Sequence, residues 1–287
     1  MGRQIAVVGG DLRQITVAQS LAKDSYNVSV YGFDKEYLPD SVTFSPDISE
    51  LPDDCKAVVL GIAPCKEDFS INTPYCKEAI SAHSLVSHLP PDCVLIGGKL
   101  PADFLELCSL SGIRTIDYVN REDFAILNAV PTAEGAIAIA MEQLPITLHS
   151  SKCLITGFGR IGKILARDLH QLCADVTCTA RKSSDLTWID ALGYKRLHTS
   201  SIISAVHHFD VIFNTVPQPI FSREVLRNVR SDTLIIDLAS KPGGVDFDAA
   251  AQLDVKVNWA LALPGKCAPV TAGKIIKNTV ENILSEL

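Results

Sequence analysis

The chain has 287 residues, of which 47% are hydrophobic, and its formal net charge at pH 7 is −7. This length predicts two domains of ordinary size, each with a substantial core. Acidic and basic residues are interspersed without a basic stripe, which argues against nucleic acid as a partner. No apolar run reaches the roughly 20 residues that span a bilayer, and the amino terminus lacks a signal-peptide pattern. We therefore expect a cytoplasmic protein with no membrane partner.

The cysteines predict neither a disulfide framework nor a metal site. There are nine of them, an odd number, no CxxC pair occurs, and the histidines show no ligand pair at helical spacing. Several lie in apolar strand or helix contexts: Cys93, Cys153, Cys173 and Cys178. We predict reduced, mostly buried thiols and no bound metal.

The first half of the chain alternates short apolar runs with helical patterns, which is typical of a mainly parallel sheet. Strands are predicted at 3–8, 28–31, 57–60, 94–96 and 113–116, and helices after Gly9–Gly10 and over 101–111. The span 39–54 is rich in proline and aspartate and predicts an irregular connection with one short strand. This half lacks the third glycine of a dinucleotide loop, so we interpret it as a flavodoxin-like, substrate-side domain.

The second half carries the strongest motif, Gly157-x-Gly159-x-x-Gly162, between an apolar strand and an amphipathic helix. In a dinucleotide fold, these glycines permit the tight turn, the close approach of a pyrophosphate and the packing of the helix on the strand. The pyrophosphate would lie at the helix amino end. We therefore expect Phe158, Arg160 and Ile161 to share the cofactor loop with the three glycines. Strands are predicted at 153–156, 175–179, 195–197, 211–214, 233–237 and 256–260, and helices at 160–172, 185–192 and 200–206.

Two helices are predicted to link the domains. One covers 132–141, with Pro131 before it and Thr132 as its N-cap, and its small residues would allow close packing between two lobes. The other, over 268–285, carries an apolar stripe and would return to the first domain. The predicted architecture is α/β, with two doubly wound, mainly parallel sheets and a cleft between domains. Residues 1–128 form the first domain, 268–287 complete it, and 129–267 form a Rossmann domain.

The nucleotide is predicted from the strand that follows the glycine loop. An NAD-specific fold places an acidic residue at the end of that strand, whereas this chain has Ala180-Arg181-Lys182-Ser183. Arg181 could bind a 2′-phosphate in a bidentate manner, with Lys182 as a second charge, so we predict NADP rather than NAD. Further nicotinamide-side contacts are expected where later strands end, from Asn214, Thr215, Val216, Pro217, Ala239 and Ser240, with Leu263-Pro264 beyond them.

Six segments together resemble the family of dipicolinate synthase A subunits over essentially the whole length. They are Gly9-Gly10-Asp-x-Arg13, Pro131-Thr-Ala-Glu-Gly-Ala-Ile137, the glycine loop, Asn214-Thr-Val-Pro217, Asp237-Leu-Ala-Ser-Lys-Pro-Gly-Gly244 and Leu263-Pro-Gly-Lys-x-Ala-Pro-x-Thr-Ala-Gly273. The general plan is also similar to 2-hydroxyacid dehydrogenases and adenosylhomocysteinase, but the histidine–acid pair of the former is not evident.

This resemblance implies a role in the mother cell of an endospore-forming bacterium. With a flavoprotein-like B subunit, the family is expected to oxidise dihydrodipicolinate, formed from a hydroxytetrahydrodipicolinate precursor, to pyridine-2,6-dicarboxylate with NADP. The implied partners are this cyclic dicarboxylate and the B subunit, with a homo-oligomer as a further assembly to consider.

Such a substrate needs cations for its two carboxylates and a group or water that accepts a proton. The cationic candidates follow strand ends or turns: Arg13, Lys99, Lys241 and Lys266. Glu134 and Asp11 are the candidate bases, although Glu134 could simply support a first helical turn. Two alternatives stay open: an NADP-binding scaffold or sensor that supports a catalytic partner, and a 2-hydroxyacid or shikimate-type dehydrogenase.

Overall fold

The computed structural model describes residues 3–45 and 47–287. In these residues the strands are β1 Gln4–Val8, β2 Asn27–Tyr31, β3 Thr43–Phe44, β4 Ala57–Ile62, β5 Val94–Gly98, β6 Arg114–Asp117, β7 Lys152–Thr156, β8 Asp175–Ala180, β9 Lys195–His198, β10 Val211–Asn214, β11 Leu234–Asp237 and β12 Lys256–Trp259. The helices are α1 Leu12–Lys23, α2 Ala82–Ser87, α3 Ala102–Leu110, α4 Glu122–Gln143, α5 Arg160–Gln171, α6 Ser183–Ala191, α7 Ile202–Ala205, α8 Arg223–Leu226, α9 Phe247–Gln252, α10 Leu263–Cys267 and α11 Pro269–Glu286.

The chain folds into two compact units. The first unit comprises Met1–Leu127 and Ala268–Leu287, and the second unit comprises Asn128–Cys267. The boundary between residues 127 and 128 falls inside α4, and α11 belongs wholly to the first unit.

The first unit is built on a parallel sheet with the strand order β3-β2-β1-β4-β5-β6. The longer strands, β2-β1-β4-β5-β6, have the five-strand flavodoxin-like order, and β3 adds two residues at the edge. Helices cover both faces, so the central strands β1, β4 and β5 are buried on both sides and consist mainly of apolar residues. α11 packs on one face through Ile276, Val280 and Ile283.

The second unit contains a parallel sheet with the order β12-β11-β10-β7-β8-β9. Renumbered within the unit, this is the 3-2-1-4-5-6 order of dinucleotide-binding folds, with the reversal of direction between β7 and β10. The two sheets confirm the predicted α/β fold with doubly wound parallel sheets.

The prediction of a helix that starts at Thr132 was wrong. α4 begins ten residues earlier, at Glu122, and continues through Pro131. Thr132 does not cap it, because its Oγ1 donates to the Asn128 carbonyl one turn back at 2.7 Å. The small residues also pack within the second unit: a Cβ on Gly135 would lie 2.6 Å from the Cys267 Sγ.

By length and composition alone, α4 could cross a membrane. No apolar run long enough to do so was predicted from the sequence, and this helix was not anticipated. One such helix is weak evidence for a span, since core helices pass the same test. Ala133, Ala136 and Ala140 lie in the second unit's core, and Phe124 lies in the first unit's core. This packing favours a core helix.

The cysteines are unpaired thiols, and five of the nine are buried. Burial raises the pKa of Cys153 to about 11 and that of Cys178 to about 12, so both thiols are protonated at neutral pH. Cys173 is an exception to the predicted burial: it is exposed, with φ +60°, just after the end of α5.

Short helices escaped the sequence analysis. Three of them, α2, α8 and α9, have six residues or fewer. The Leu-Pro-Gly segment, which was predicted as a turn, forms the helix α10, in which Leu263 and Pro264 are buried. Within the predicted irregular span 39–54, the short strand is β3, and Pro46 lies outside the described residues.

Candidate dinucleotide site and carboxylate-binding residues

The glycine loop of the second unit follows β7 at the point where the order of the sheet reverses. Gly157 has φ +90°, a conformation that side chains disfavour, and it turns the chain sharply out of the strand. A Cβ on Gly162 would collide with the Gly157 carbonyl oxygen, so only glycine lets α5 pack this closely. A Cβ on Gly159 would have no protein atom within 4 Å. The protein itself therefore leaves open space at Gly159.

α5 begins directly after this open space. Its N-cap is Gly159, which has no side chain to accept a hydrogen bond from the first-turn N–H groups. Arg160 is the first helical residue and is exposed, whereas Phe158 and Ile161 pack on the core. An uncapped amino terminus that faces open space is suited to an anionic group.

A cavity of 260 Å³ lies against this loop. Its walls come from the glycine loop, the end of β8, the start of α6 and the segment after β10: Gly157, Phe158, Gly159, Thr179, Ala180, Arg181, Lys182, Asp185, Thr199, Val216, Gln218 and Ile220. Arg181 and Lys182 thus lie in the same cavity as the glycines, while Ser183 is the exposed first residue of α6.

Sequence reasoning missed the acidic member of this cavity. Asp185 lies in the first turn of α6, where a carboxylate interacts favourably with the helix dipole. Its position two residues after Ser183 could have revealed it, because β8 ends just before a predicted helix.

A buried polar network fixes the ends of the strands beside the cavity. Thr156 Oγ1 donates to Asn214 Oδ1 at 2.5 Å, and Asn214 Nδ2 donates to Asp237 Oδ1 at 2.8 Å. The Asp237 carboxylate also accepts from the backbone N–H groups of Ala239 and Gly244 at 3.0 and 2.8 Å. Thr156, Asn214 and Asp237 are all completely buried. The polar side chains at the ends of β7, β10 and β11 therefore satisfy one another without solvent.

This network limits the contacts that Asn214 can make with a cofactor. Its side chain is fully used, since Nδ2 also donates to the Val216 carbonyl and Oδ1 accepts from the Val216 N–H. We therefore assign Asn214 to positioning the loop rather than to direct contact with a cofactor. Thr215 likewise donates to the Thr156 carbonyl at 2.7 Å.

The other predicted contacts on this side differ in exposure. Val216 lines the cavity, whereas Pro217 and Ser240 are exposed. Ala239 is buried, and its carbonyl accepts a hydrogen bond from the Trp259 indole at 3.0 Å.

Two of the candidate residues, Asp11 and Arg13, form an ion pair. The Arg13 guanidinium binds the Asp11 carboxylate through Nε and Nη2, at 2.8 and 2.7 Å. Asp11 also caps α1 by accepting from the Arg13 N–H. Burial alone would raise the Asp11 pKa, but the hydrogen bonds and charge of Arg13 outweigh it and leave this pKa below its ordinary value. Asp11 is therefore ionised and paired at neutral pH, which argues against it as the proton acceptor, and Arg13 offers only its remaining N–H groups.

Glu134 does not join the glycine-loop cavity. It lies on α4 in a separate groove, lined also by Arg167 and Met141. It does not line the glycine-loop cavity, and because α4 begins at Glu122 it does not support a first helical turn either.

The three candidate lysines are exposed. Lys99 follows β5 with φ +51°, a conformation that is strained for a lysine, and its N–H donates to Asp117. Lys241 lies in the loop after β11, and Lys266 lies near the end of α10. The first unit contributes Lys99, and the second unit contributes the other two.

The corresponding loop of the first unit is closed by the chain itself. The Gly10 N–H donates to the Asn72 carbonyl at 2.7 Å, and a Cβ on Gly9 would lie 2.8 Å from that same oxygen. Residues around Asn72 thus occupy the place where a pyrophosphate would lie, and no sequence signal pointed to this. The described residues contain no group of three His, Cys, Asp or Glu side chains suited to a metal ion.

Comparisons of the sequence and of the structure with known proteins point to the same family. The family model for the N-terminal domain of the dipicolinate synthase A subunit matches residues 4–119. The dipicolinate synthase A subunit of Bacillus subtilis is 31% identical over 288 residues, which cover 100% of this chain and 97% of that protein. Its crystal structure matches with a TM-score of 0.92, and that of the dipicolinate synthase A subunit from Bacillus halodurans matches with a TM-score of 0.93 at 31% identity, covering 100% of this chain and 99% of the other.

A more distant match shows the fold alone. The transhydrogenase from Sinorhizobium meliloti has a TM-score of 0.71 at 15% identity, covering 98% of this chain and 93% of the other. The architecture is therefore one that oxidoreductases use. The identity of 31% over the full length decides the family: the chain belongs to the family of dipicolinate synthase A subunits.

Proposed function

We propose that this chain is the NADP-dependent oxidoreductase subunit of a dipicolinate synthase. The observation that carries the proposal is the glycine-loop cavity, which is lined both by an uncapped helix amino terminus and by two cations. In the reaction, dihydrodipicolinate loses a hydride to NADP⁺ and a proton to water, and the products are pyridine-2,6-dicarboxylate and NADPH.

The residues present fit a dinucleotide. Gly159 leaves room for a pyrophosphate, and the first-turn N–H groups of α5 would donate to it. When bound, NADP⁺ supplies the hydride acceptor. The hydrogen bonds among Thr156, Asn214 and Asp237 tie together the ends of β7, β10 and β11 beside this cavity.

Arg181 and Lys182 support NADP over NAD. Both line the cavity at the end of β8, where the 2′ position of the adenosine ribose lies in such folds. A guanidinium can bind the 2′-phosphate of NADP in a bidentate manner, and NAD lacks this phosphate. Asp185 shares the cavity, and we assign it to stabilising the first turn of α6 rather than to binding a ribose.

We propose that Arg13 and Lys99 of the first unit bind the substrate carboxylates, and Lys241 and Lys266 stay separate candidates in the second unit. Arg13 is held rigid by Asp11, so its free N–H groups are already oriented. Because Asp11 is ionised and paired and Glu134 lies elsewhere, we propose that water accepts the proton. Aromatisation provides the driving force, so orientation is the main task of the protein.

The related proteins are each one part of a synthase, which implies a partner, and we propose a flavoprotein-like B subunit in the mother-cell cytoplasm of an endospore-forming bacterium. The ion pairing of Asp11 and the position of Glu134 outside the glycine-loop cavity favour one alternative, in which the chain is an NADP-binding scaffold for a catalytic B subunit.

A reconstitution experiment separates these two functions. The chain is mixed with its B subunit, the hydroxytetrahydrodipicolinate precursor and NADP⁺, and NADPH and dipicolinate are measured together. We expect equal amounts of both, and we expect the variant Lys99→Ala to raise KM for the precursor. Dipicolinate without NADPH would support the scaffold, and a Lys195→Ala variant, which removes a surface ion pair with Asp175, serves as a control.

A further inference from the structure

Gln14 is the most unusual polar side chain of the first unit. It is 1% exposed, and among the described residues neither its Nε2 nor its Oε1 has a hydrogen-bond partner. Buried amides are nearly always paired, because an unpaired donor and acceptor lose their hydrogen bonds to water. A methionine or leucine would fill the same space without that cost. The orphaned amide therefore calls for a function.

The position of Gln14 is that of a ligand site. It is the third residue of α1, and its Cγ would lie 2.6 Å from a Cβ on Gly10 and 3.8 Å from a Cβ on Gly61. Gly10 follows β1 and Gly61 lies near the end of β4, which are neighbours in the sheet. The order of the sheet reverses between these strands, and open α/β sheets bind ligands beside that reversal.

A ligand at this place would have to be small. The Gly10 N–H is already bound to the Asn72 carbonyl, which excludes a pyrophosphate from the loop. The residue before Gln14 is Arg13, whose side chain is 11% exposed and held by Asp11. A guanidinium paired with Asp11 and an orphaned amide thus belong to consecutive residues in the first turn of one helix. This combination suits a carboxylate that carries a neighbouring donor group.

We infer that Gln14 is a specificity-determining residue that binds the small carboxylate substrate. Its Nε2 donates to a carboxylate oxygen, and its Oε1 accepts from an N–H or O–H group of the ligand or from a water that the ligand retains. The identification of that ligand as a pyridine-type dicarboxylate rests on the proposed function, whereas the role of Gln14 rests on its burial, its place in the sheet and its unpaired atoms.

The test compares binding and stability in the full-length chain. The variants Gln14→Met and Gln14→Leu are titrated with pyridine-2,6-dicarboxylate and with a panel of small mono- and dicarboxylates, in the presence and absence of NADP⁺. The melting temperature of each unliganded variant is measured in parallel. The control is Gln4→Met on the same strand-and-helix unit, since Gln4 is hydrogen-bonded to Ser29 at 2.9 Å.

We expect both Gln14 variants to melt at the wild-type temperature or above it. Their affinity for the carboxylate should fall about 10-fold to 100-fold, with NADP⁺ affinity within about 2-fold of wild type. The control should melt lower and bind the carboxylate normally. Lower melting temperatures of the Gln14 variants with unchanged carboxylate affinity would show that the amide binds only a resident water, and would overturn the inference.

The outcomes also separate this inference from the proposed function. If wild type binds another carboxylate of the panel but not pyridine-2,6-dicarboxylate, and the Gln14 variants lose that binding, the role of Gln14 stands and the proposed substrate falls. If wild type binds pyridine-2,6-dicarboxylate and the variants bind it equally well, the role of Gln14 falls alone. If wild type binds no member of the panel, both are wrong.

Discussion

The second and third glycines of the loop should respond to substitution in opposite ways. In Gly162→Ala, the new methyl group would collide with a backbone oxygen, so α5 or the loop must move. Overpacking of this kind costs about 1–3 kcal/mol, or about 4–12 °C in the melting temperature of a unit of this size. NADP⁺ affinity should fall as well, since the loop and the helix amino terminus shift together.

In Gly159→Ser, by contrast, the side chain enters space that no protein atom occupies and can cap α5. Serine is a preferred N-cap, so the unliganded protein should melt at the wild-type temperature or slightly above it. NADP⁺ affinity should fall about 10-fold to 100-fold, because the side chain fills the space for the pyrophosphate and occupies a first-turn N–H. The assays are thermal unfolding and titration with NADP⁺. If Gly159→Ser binds NADP⁺ as tightly as wild type, the open space at the loop is not the phosphate site.

Three further predictions concern stability and substrate binding. In Asp237→Asn, one carboxylate oxygen that accepts buried N–H groups becomes a donor, so thermal unfolding should show a loss of about 1–3 kcal/mol. Hydrogen bonds from Arg121 outweigh partial burial and lower the pKa of Asp123 to about 2, so its stabilising effect is present above the ordinary carboxyl pKa and is lost as pH falls through the folded value. Between about pH 4 and pH 2, the free energy of unfolding, measured by chemical denaturation, should therefore fall by about 1 kcal/mol more for the wild type than for Asp123→Asn, after allowance for solvent screening. An equal fall in both proteins would contradict this. Lys99→Gly relieves the strained φ of +51° and should melt no lower than wild type, while its affinity for pyridine-2,6-dicarboxylate falls at least about 5-fold; unchanged affinity would remove Lys99 from the site.

The sheets could be predicted from the sequence because their strands are buried on both faces. A strand such as β7 or β10 then consists of consecutive apolar residues that end at a glycine or a polar residue. The helix α5 was equally readable, since its apolar residues recur at helical spacing. α2, α8 and α9 were missed because one or two turns are too short to show a period.

The remaining errors come from interactions that are distant in sequence or depend on context. Pro131 was taken to precede a helix, although a proline can lie inside a helix when its neighbours compensate. Asp237 looked like the end of a strand, and only the fold shows that its buried carboxylate accepts from the N–H groups of Asn214, Ala239 and Gly244. The closure of Gly9–Gly10 by Asn72 joins residues more than 60 positions apart, with no local pattern.

The pairing of Arg13 with Asp11 is a local feature that the sequence did contain. An aspartate before a helix caps it, and an arginine two residues later is within reach of that carboxylate. Treating the two residues as independent candidates, one for binding and one for proton transfer, overlooked this geometry. The pair is one rigid ion pair with no net charge, in which the guanidinium keeps the N–H groups that Asp11 does not bind.

The affinity of the wild type for NADP⁺ relative to NAD⁺, measured by calorimetric titration, tests the central claim most directly. We predict that NADP⁺ binds at least about 10-fold more tightly, because Arg181 and Lys182 line the cavity of the glycine loop and a bidentate phosphate contact contributes this much. In the double variant Arg181→Ala/Lys182→Ala, NADP⁺ should bind no better than NAD⁺, while NAD⁺ affinity stays near its wild-type value. Equal binding of the two nucleotides by the wild type, or tighter binding of NAD⁺, would contradict the account.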